Sequence, residues 1–114
     1  MLIRASAQTE VALPEDCLVM RKLVAAVHGG DISVTHVRLD GVHRPLRTLR
    51  STRVYYVLEG SARFAVGDDP PVDAHAGDVV VVPRGVAYGF EGTLAYLVIN
   101  APAYVEGDDF YVDT

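Results

Sequence analysis

Residues 77–88 read GDVVVVPRGVAY, and this stretch decides the fold. The Gly-Asp pair marks a turn, the four valines have the length and β-branching of a strand, and Pro83 and Gly85 mark a second turn. An unbroken apolar run is typical of a strand covered on both faces. The stretch therefore predicts a short buried β-strand between two tight turns, followed directly by Tyr88.

The rest of the chain repeats this alternation of short apolar runs and turn residues. Residues 55–64, YYVLEGSARF, predict a tight hairpin with Glu59 and Gly60 at its bend. Residues 12–26 have the composition of a short helix, but a proline and several valines weaken that interpretation. Many short strands at regular spacing favour a closed barrel or a sandwich. The predicted strands are residues 18–27, 32–39, 54–58, 62–66, 79–82 and 94–99.

Length and composition describe one small globular domain spanning residues 1–114. A chain of this size buries roughly 65% of the surface that its unfolded form exposes, which is enough for one core. The net charge of -5 disfavours nonspecific nucleic-acid binding. The single cysteine, Cys17, fits a reducing compartment, and no apolar run has the length of a membrane span. We expect a cytoplasmic protein without nucleic-acid or membrane partners.

Residues 41–60, GVHRPLRTLRSTRVYYVLEG, have a spacing that continues into residues 77–88. Together the two stretches resemble the two motifs of the cupin superfamily. The resemblance covers about residues 32–102 and implies an all-β, single-domain double-stranded β-helix, or jelly-roll, barrel. Residues 1–31 then form an N-terminal strand region, and residues 103–114 form an acidic C-terminal tail.

The metal-ligand positions of that pattern are replaced in this sequence. The pattern normally has His, His and Glu in its first motif and His in its second. The residues at those positions here are Arg47, Leu49, Arg53 and Tyr88. Arginine has no lone pair to offer, so we expect neither the metal that the pattern normally holds nor another cofactor. A rearranged site built from His28, His36, His43 and His75 stays open, although their spacing shows no tight cluster.

Four arginines, Arg44, Arg47, Arg50 and Arg53, lie within ten residues of an otherwise acidic chain. The cupin frame places Arg47, Leu49 and Arg53 on the inner face, with Tyr55 beyond them. Two guanidinium groups and a phenol suit a small molecule that carries a carboxylate, a phosphate or a polarised carbonyl. The alternative is that the arginines reach the surface and pair with acids of the tail, Glu106, Asp108 and Asp109.

Tyr88 is the candidate catalytic residue, because neighbouring cations should lower its pKa and favour proton exchange with a substrate. His36 is a candidate partner base if its strand face is inward, and Arg38 shares that face. Tyr96 and Asn100 share a face of the last long strand and are candidate hydrogen-bonding residues. The alternative for Tyr88 is a packed tyrosine without a catalytic role.

Two classes of function follow. The first is a metal-independent enzyme that moves protons in a carbonyl compound, by isomerisation, epimerisation, dehydration or cyclisation. The second is a noncatalytic module that binds or senses a small molecule, and an oxygenase with rearranged ligands is a weaker third. We also expect a homodimer formed through residues 18–27 and 110–112, unless both segments simply close the barrel.

Overall fold

A computed structural model describes residues 1–112 of the chain. As expected, the architecture is all-β with only three short 3-10 turns, at Ala5–Ala7, Pro14–Asp16 and Ala26–His28. The strands are β1 (Glu10–Leu13), β2 (Leu18–Val24), β3 (Ser33–Thr48), β4 (Thr52–Val66), β5 (Val72–His75), β6 (Val79–Val82), β7 (Tyr88–Ala101) and β8 (Asp109–Tyr111).

All strand pairs are antiparallel, in the order β1-β2-β3-β7-β4-β5, with β6 on β4 and β8 on β3. Alternate side chains of the three longest strands, β3, β4 and β7, point into the barrel. The core is apolar and aromatic at one end, where Phe64 stacks on Phe90 with ring centroids 4.4 Å apart. The polar cavity described below lies between this core and β2.

The predicted hairpin at Glu59 and Gly60 is wrong, because β4 continues through both residues. A register shift between Val57 and Glu59 bends the strand instead. Gly60 has φ 76°, and a Cβ there would lie 2.1 Å from the carbonyl oxygen of Thr93. β3 likewise continues through Gly41, which has φ 135°. Glycine here lets a long strand fold over from one wall of the barrel to the other.

The four valines of β6 form a strand, as predicted, but they are not covered on both faces. Val79 and Val81 are 53% and 55% exposed, whereas Val82 is fully buried. The reason is that β6 is part of a single-layered barrel wall, so its side chains point alternately to solvent and to the interior. The helix considered for residues 12–26 is also absent, since β1, a 3-10 turn and β2 occupy that part of the chain.

Both segments considered for a dimer interface contribute to closing the barrel, because β2 and β8 each pair with β3. The homodimer itself stays a prediction. In the described part of the chain, no helix has the length and apolarity needed to cross a bilayer.

Candidate functional site

A cavity of about 250 Å³ lies inside the barrel, between β2 and the inner faces of β3, β4 and β7. We call it the barrel cavity. One part of its lining is apolar and includes Met20, Val37, Leu46 and Val98. Its polar lining includes Asp16, His43, Arg53, Tyr55, Asn100 and Asp109.

Arg53 is the central polar residue of the cavity, and it is only 4% exposed. Its Nε donates to Asn100 Oδ1 at 2.6 Å, and its two terminal nitrogens donate to the Tyr88 hydroxyl at 2.8 Å and to Asp109 Oδ1 at 2.9 Å. Burial alone would lower the pKa of Arg53, but the two phenols and Asp109 raise it instead. The guanidinium is therefore held in one orientation by three partners, with its charge balanced by Asp109.

The hydroxyls of Tyr55 and Tyr88 are joined by a short hydrogen bond. Burial raises the pKa of Tyr88, and Arg53 only partly opposes that effect. Burial also raises the pKa of Tyr55 well above its ordinary value. The expectation that cations lower the pKa of Tyr88 is therefore wrong, because desolvation outweighs the single nearby guanidinium. Both side chains are neutral phenols at pH 7, able to donate or relay a proton.

His43 lies on β3 opposite Phe90, and its ring stacks on that phenylalanine with centroids 4.8 Å apart. Its Nδ1 is 2.9 Å from the carbonyl oxygen of Arg44, which can only accept, so Nδ1 carries a proton. Burial lowers the pKa of His43, which keeps the ring neutral at pH 7. Nε2 then has a free lone pair, which is the chemical requirement for a general base.

Asp16 holds together the part of the cavity wall that lies beside His43. This carboxylate is 1% exposed and accepts hydrogen bonds from the backbone nitrogen and Nε of Arg44 and from the Tyr111 hydroxyl. Burial alone would raise its pKa, but these hydrogen bonds hold the pKa of Asp16 below its ordinary value. The cluster ties β8 and the Pro14–Asp16 turn to β3.

Five of the residues singled out in the sequence come together in the barrel. Besides Arg53, Tyr55 and Tyr88, the side chains of Tyr96 and Asn100 are buried on the inner face of β7. Asn100 contacts Arg53 directly, and the Tyr96 ring packs edge-on against Tyr55 with centroids 5.2 Å apart. Tyr96 and Asn100 therefore share one face of β7, as their even spacing predicted, and that face points into the barrel.

Arg47 and Leu49 do not line the cavity, contrary to the frame of the first motif. Both are exposed, and Arg47 donates to the carbonyl oxygen of Gly85 at 3.3 Å on the surface. The physical reason is a register shift between His43 and Leu46, which reverses the parity of the end of β3. Leu46 and Thr48 are the buried residues there.

His36 and Arg38 lie on the outer face of β3, because Val37 and Leu39 occupy the inner face. They border outer grooves and are separated from the phenols by the sheet. His43 is the site histidine that the sequence interpretation missed. The signal for it is the alternation along β3: His43 lies an even number of residues after Val37 and Leu39, so it points to the same inner face. Asp16 and Asp109 carry no such signal, because they reach the cavity from distant segments.

The cupin pattern implies a metal, and the side chains in this barrel do not fit one. The inward residues of the two motifs include one histidine, His43, together with Leu46, Thr48, Arg53 and Tyr88, and a single imidazole does not make a metal site. Among residues 1–112, no three His, Cys, Asp or Glu side chains are grouped closely enough to hold an ion. A neutral hydroxyl, a buried phenol and a guanidinium are poor substitutes for imidazole and carboxylate ligands.

The eight-stranded barrel with motif residues lining its interior defines the protein class. Residues 41–100, more than half of the chain, match the cupin domain family, and the chain belongs to that family. None of the curated protein sequences matches this chain.

Solved structures with the same fold include Pac13 of Streptomyces, a nucleoside dehydratase, and the likeness covers nearly all of both chains. A Pac13 structure with uridine has a TM-score of 0.87 at 21% identity, over 98% of this chain and 89% of that chain. A protein from Planctomyces limnophilus has a TM-score of 0.86 at 17% identity, over 97% and 96%. Oxalate decarboxylase of Bacillus subtilis has a TM-score of 0.79 at 20% identity, and the match covers 95% of this chain and 31% of that one. At these identities the likeness shows the fold.

Proposed function

We propose that this chain is a metal-independent cupin enzyme that removes water from a small carbonyl-bearing substrate held in the barrel cavity. The observation that carries the proposal is the arrangement of His43 and the Tyr55–Tyr88 pair. His43, with an unprotonated Nε2, and Tyr55 line the same cavity, and Tyr55 is hydrogen-bonded to a second neutral phenol, Tyr88. This is the pairing of base and acid that proton-transfer chemistry requires.

His43 is the general base in this proposal. Its Nδ1–H bond to the Arg44 carbonyl orients the ring, and burial keeps the ring unprotonated. Nε2 takes the proton on the carbon next to the substrate carbonyl, and the electrons of that C–H bond move into the carbonyl to form an enolate. A base held in position in this way contributes a factor of about 10²–10⁴ to the rate.

The phenol pair stabilises the enolate oxygen through one donated hydrogen bond. Arg53 donates to the Tyr88 hydroxyl at 2.8 Å, Tyr88 donates to the Tyr55 hydroxyl, and Tyr55, which lines the cavity, donates to the enolate oxygen. A donor fixed in advance at such a site contributes about 3 kcal/mol to transition-state stabilisation. In this arrangement Arg53 acts through Tyr88, because Tyr88 accepts one of its hydrogen bonds.

Loss of water completes the reaction. The enolate electrons return to form the carbon–carbon double bond, and the hydroxyl on the next carbon leaves with the proton that His43 carries. One proton and one hydroxide are lost as water, so no oxidant or reductant is needed. Isomerisation and epimerisation share the first step and differ only in where the proton is returned.

The neighbouring structure supports dehydration among these reactions. Pac13 is a nucleoside dehydratase, and solved forms with a tyrosine changed to phenylalanine, or a histidine changed to glutamine, contain uridine. Histidine and tyrosine are the residue types that line the present cavity. A volume of about 250 Å³ also suits a ligand of nucleoside size better than a larger one.

A noncatalytic binding module is the second candidate. Hydrogen bonds connect Arg53 to Asn100 and Tyr88, and Tyr88 to Tyr55, so these side chains have fixed orientations. A rigid binding pocket needs the same property. The two candidates differ in what they do to a substrate C–H bond, because only the enzyme exchanges the carbon-bound proton with solvent.

The test is deuterium incorporation and water loss in D2O, followed by mass spectrometry, for a panel of nucleosides and sugars bearing a carbonyl. We expect both signals in the native protein and a drop of at least about 10²-fold in His43→Gln. His36→Gln is the matched control, because that histidine lies on the outer face of β3. Exchange that is unaffected by His43→Gln would falsify the mechanism, and tight binding without any exchange identifies the binding module.

A further inference from the structure

Lys22 is the only lysine in the chain, and it stands at the rim of the barrel cavity. Along β2 the residues that face the cavity are Leu18, Met20 and Lys22, in strict alternation. Lys22 is exposed, so its ammonium group is hydrated at the mouth while its aliphatic stem lines the wall.

The other charged groups of the cavity are paired. Arg53 is bonded to Asp109 at 2.9 Å, and Asp16 is bonded to Arg44 at 3.0 Å. Among residues 1–112, no carboxylate lies within ion-pair distance of Lys22. Glu106, near Tyr104, is exposed and makes no ion pair with it. Within the described residues, Lys22 is therefore the cation of the cavity that has no carboxylate partner.

The ammonium group has a defined neighbour. Its nitrogen lies 5.7 Å from the centre of the Tyr104 ring, which also lines the cavity. The backbone nitrogen of Tyr104 donates to Ser33 Oγ at 2.9 Å, which holds this segment against β3. A cation–π contact limits the positions of the ammonium group without using its three donors.

The strand register sets the separation between this cation and the phenols. Lys22 is opposite Thr35, Thr35 is opposite Val98, and Val98 is opposite Tyr55. Three strand spacings separate Lys22 from Tyr55, which is roughly 14 Å between backbones measured across the sheet. The side chains reach toward each other across the curved wall, so a ligand of nucleoside length can contact both ends.

We propose that Lys22, with Tyr104, forms an anion subsite, so that the substrate carries a phosphate or a carboxylate at the end remote from His43 and Tyr88. This inference rests on the proposed function, because it places the reacting carbon at the phenols. The charge of Arg53 is already offset by its ion pair with Asp109, whereas Lys22 has no carboxylate partner among residues 1–112. The apolar wall between the two ends holds the uncharged part of the ligand.

The first experiment compares three probes by calorimetry: uridine, uridine 5′-monophosphate and uridine 5′-carboxylate. We expect at least one anion to bind the native protein about fivefold or more tightly than uridine, with a preference that declines as salt rises. The preference is lost in Lys22→Ala and kept in Lys22→Arg. Arg47→Ala is the matched control, because it removes the same charge from an exposed residue outside the cavity. The tighter of the two anions identifies phosphate or carboxylate as the partner.

A second experiment needs no variant. Because the chain has a single lysine, Lys22 carries the side-chain amine that an acylating reagent modifies, and an α-amino group serves as the internal reference. The favoured anion should slow acylation of Lys22 several-fold and leave the α-amino group unaffected, whereas uridine should protect much less.

Equal binding of uridine and both anions, no binding of any probe at millimolar concentration, or a preference that survives Lys22→Ala overturns the subsite. None of these measurements involves His43. If His43→Gln leaves proton exchange intact while the anion preference depends on Lys22, the proposed reaction fails and the subsite stands.

Discussion

Arg53 and Asp109 form an ion pair at 2.9 Å although they are 56 residues apart in the chain. The pair joins the centre of the barrel cavity to β8, which lies beside β3 with Asp109 opposite Thr48. The acidic C-terminal segment is therefore part of the cavity wall. Both interpretations of the arginines hold in part, because Arg53 is buried in the barrel and also pairs with an acid of that segment. Arg50 pairs with Asp108 at 3.1 Å in the same way.

The first prediction concerns Arg53→Met. The substitution leaves the Asp109 carboxylate and the Asn100 and Tyr88 oxygens without their shared donor, in a site where Arg53, Asn100 and Tyr88 are buried. Removing one partner of a buried pair costs about 3–5 kcal/mol of unfolding free energy. Arg47→Met, at an exposed position in the same region, should stay within about 0.5 kcal/mol of the native protein. Urea denaturation measures both values, and equal effects of the two substitutions would contradict the central role of Arg53.

The second prediction is the pH dependence that His43 imposes. Burial lowers the pKa of His43 below its ordinary value of 6.5, so the ring stays an active base at neutral pH. The rate of proton exchange should therefore fall only as pH drops through this lowered pKa. The stability of the fold should begin to decline as pH falls below 6.5, because the unfolded chain takes up the proton first.

NMR titration of the imidazole resonances against pH measures the pKa of His43 directly. In His43→Gln the acid limb of the rate profile should disappear along with most of the rate. A His43 ring that titrates above pH 6.5 would remove the basis for its role as a base.

The third prediction separates binding from chemistry at Tyr88. Tyr88→Phe removes the hydroxyl that receives the Arg53 hydrogen bond and is hydrogen-bonded to Tyr55. We expect ligand affinity to change only a few-fold and the turnover rate to fall about 10²–10³-fold. Tyr56→Phe, on the outer face of β4, is the control and should leave both quantities unchanged.

The same residue gives a spectroscopic test. Because burial raises the pKa of Tyr88, its phenolate absorption should be missing at pH 10. Phenolate absorption at neutral pH that disappears in Tyr88→Phe would mean that Arg53 dominates over desolvation.

The fourth prediction concerns metal. The inward motif residues are poor ligands, so protein purified without an affinity tag should contain far less than one equivalent of iron, manganese, nickel or zinc. Prolonged treatment with a chelator should change neither the melting temperature nor the turnover rate. Stoichiometric metal that is lost with activity and restores activity when added back would contradict this interpretation of the site.

The fifth prediction tests the bend of β4. Gly60→Ala places a Cβ 2.1 Å from the Thr93 carbonyl oxygen at φ 76°, so the two strands must separate. Gly77→Ala also sits at positive φ, 92°, but its Cβ meets no atom within 4 Å. We expect Gly77→Ala to cost about 1 kcal/mol and Gly60→Ala clearly more, measured by thermal unfolding. Similar losses in the two variants would show that backbone angle alone matters at the bend.

The fold class was accessible from the sequence because its signals are local. Apolar runs of strand length, turn residues and the spacing of two motifs each depend on a few neighbouring residues. The hairpin prediction failed at Gly60 for a physical reason. A glycine that ends a strand and one that bends a strand both need a positive φ, and only the opposing strand distinguishes them.

Only some of the site residues could be predicted from the sequence. Parity placed Arg53 and Tyr55 on one face of β4 and Tyr96 and Asn100 on one face of β7, and these residues do meet. The spacing predicted the wrong face for Arg47, because the register shift between His43 and Leu46 is set by pairing with β7. His43 faces the cavity and His36 does not, because His43 lies an even number of residues from the inward Val37 and Leu39, and His36 an odd number.

From the sequence alone came an all-β barrel, its motifs and the replacement of the metal ligands, since periodicity and residue type act over a few positions. Tertiary structure decided which charges are paired. Asp16, Lys22 and Asp109 come from segments at either end of the chain, and they meet the barrel interior only through long-range strand pairing. The free energy of bringing such segments together depends on the packing of the whole barrel, which no local pattern records.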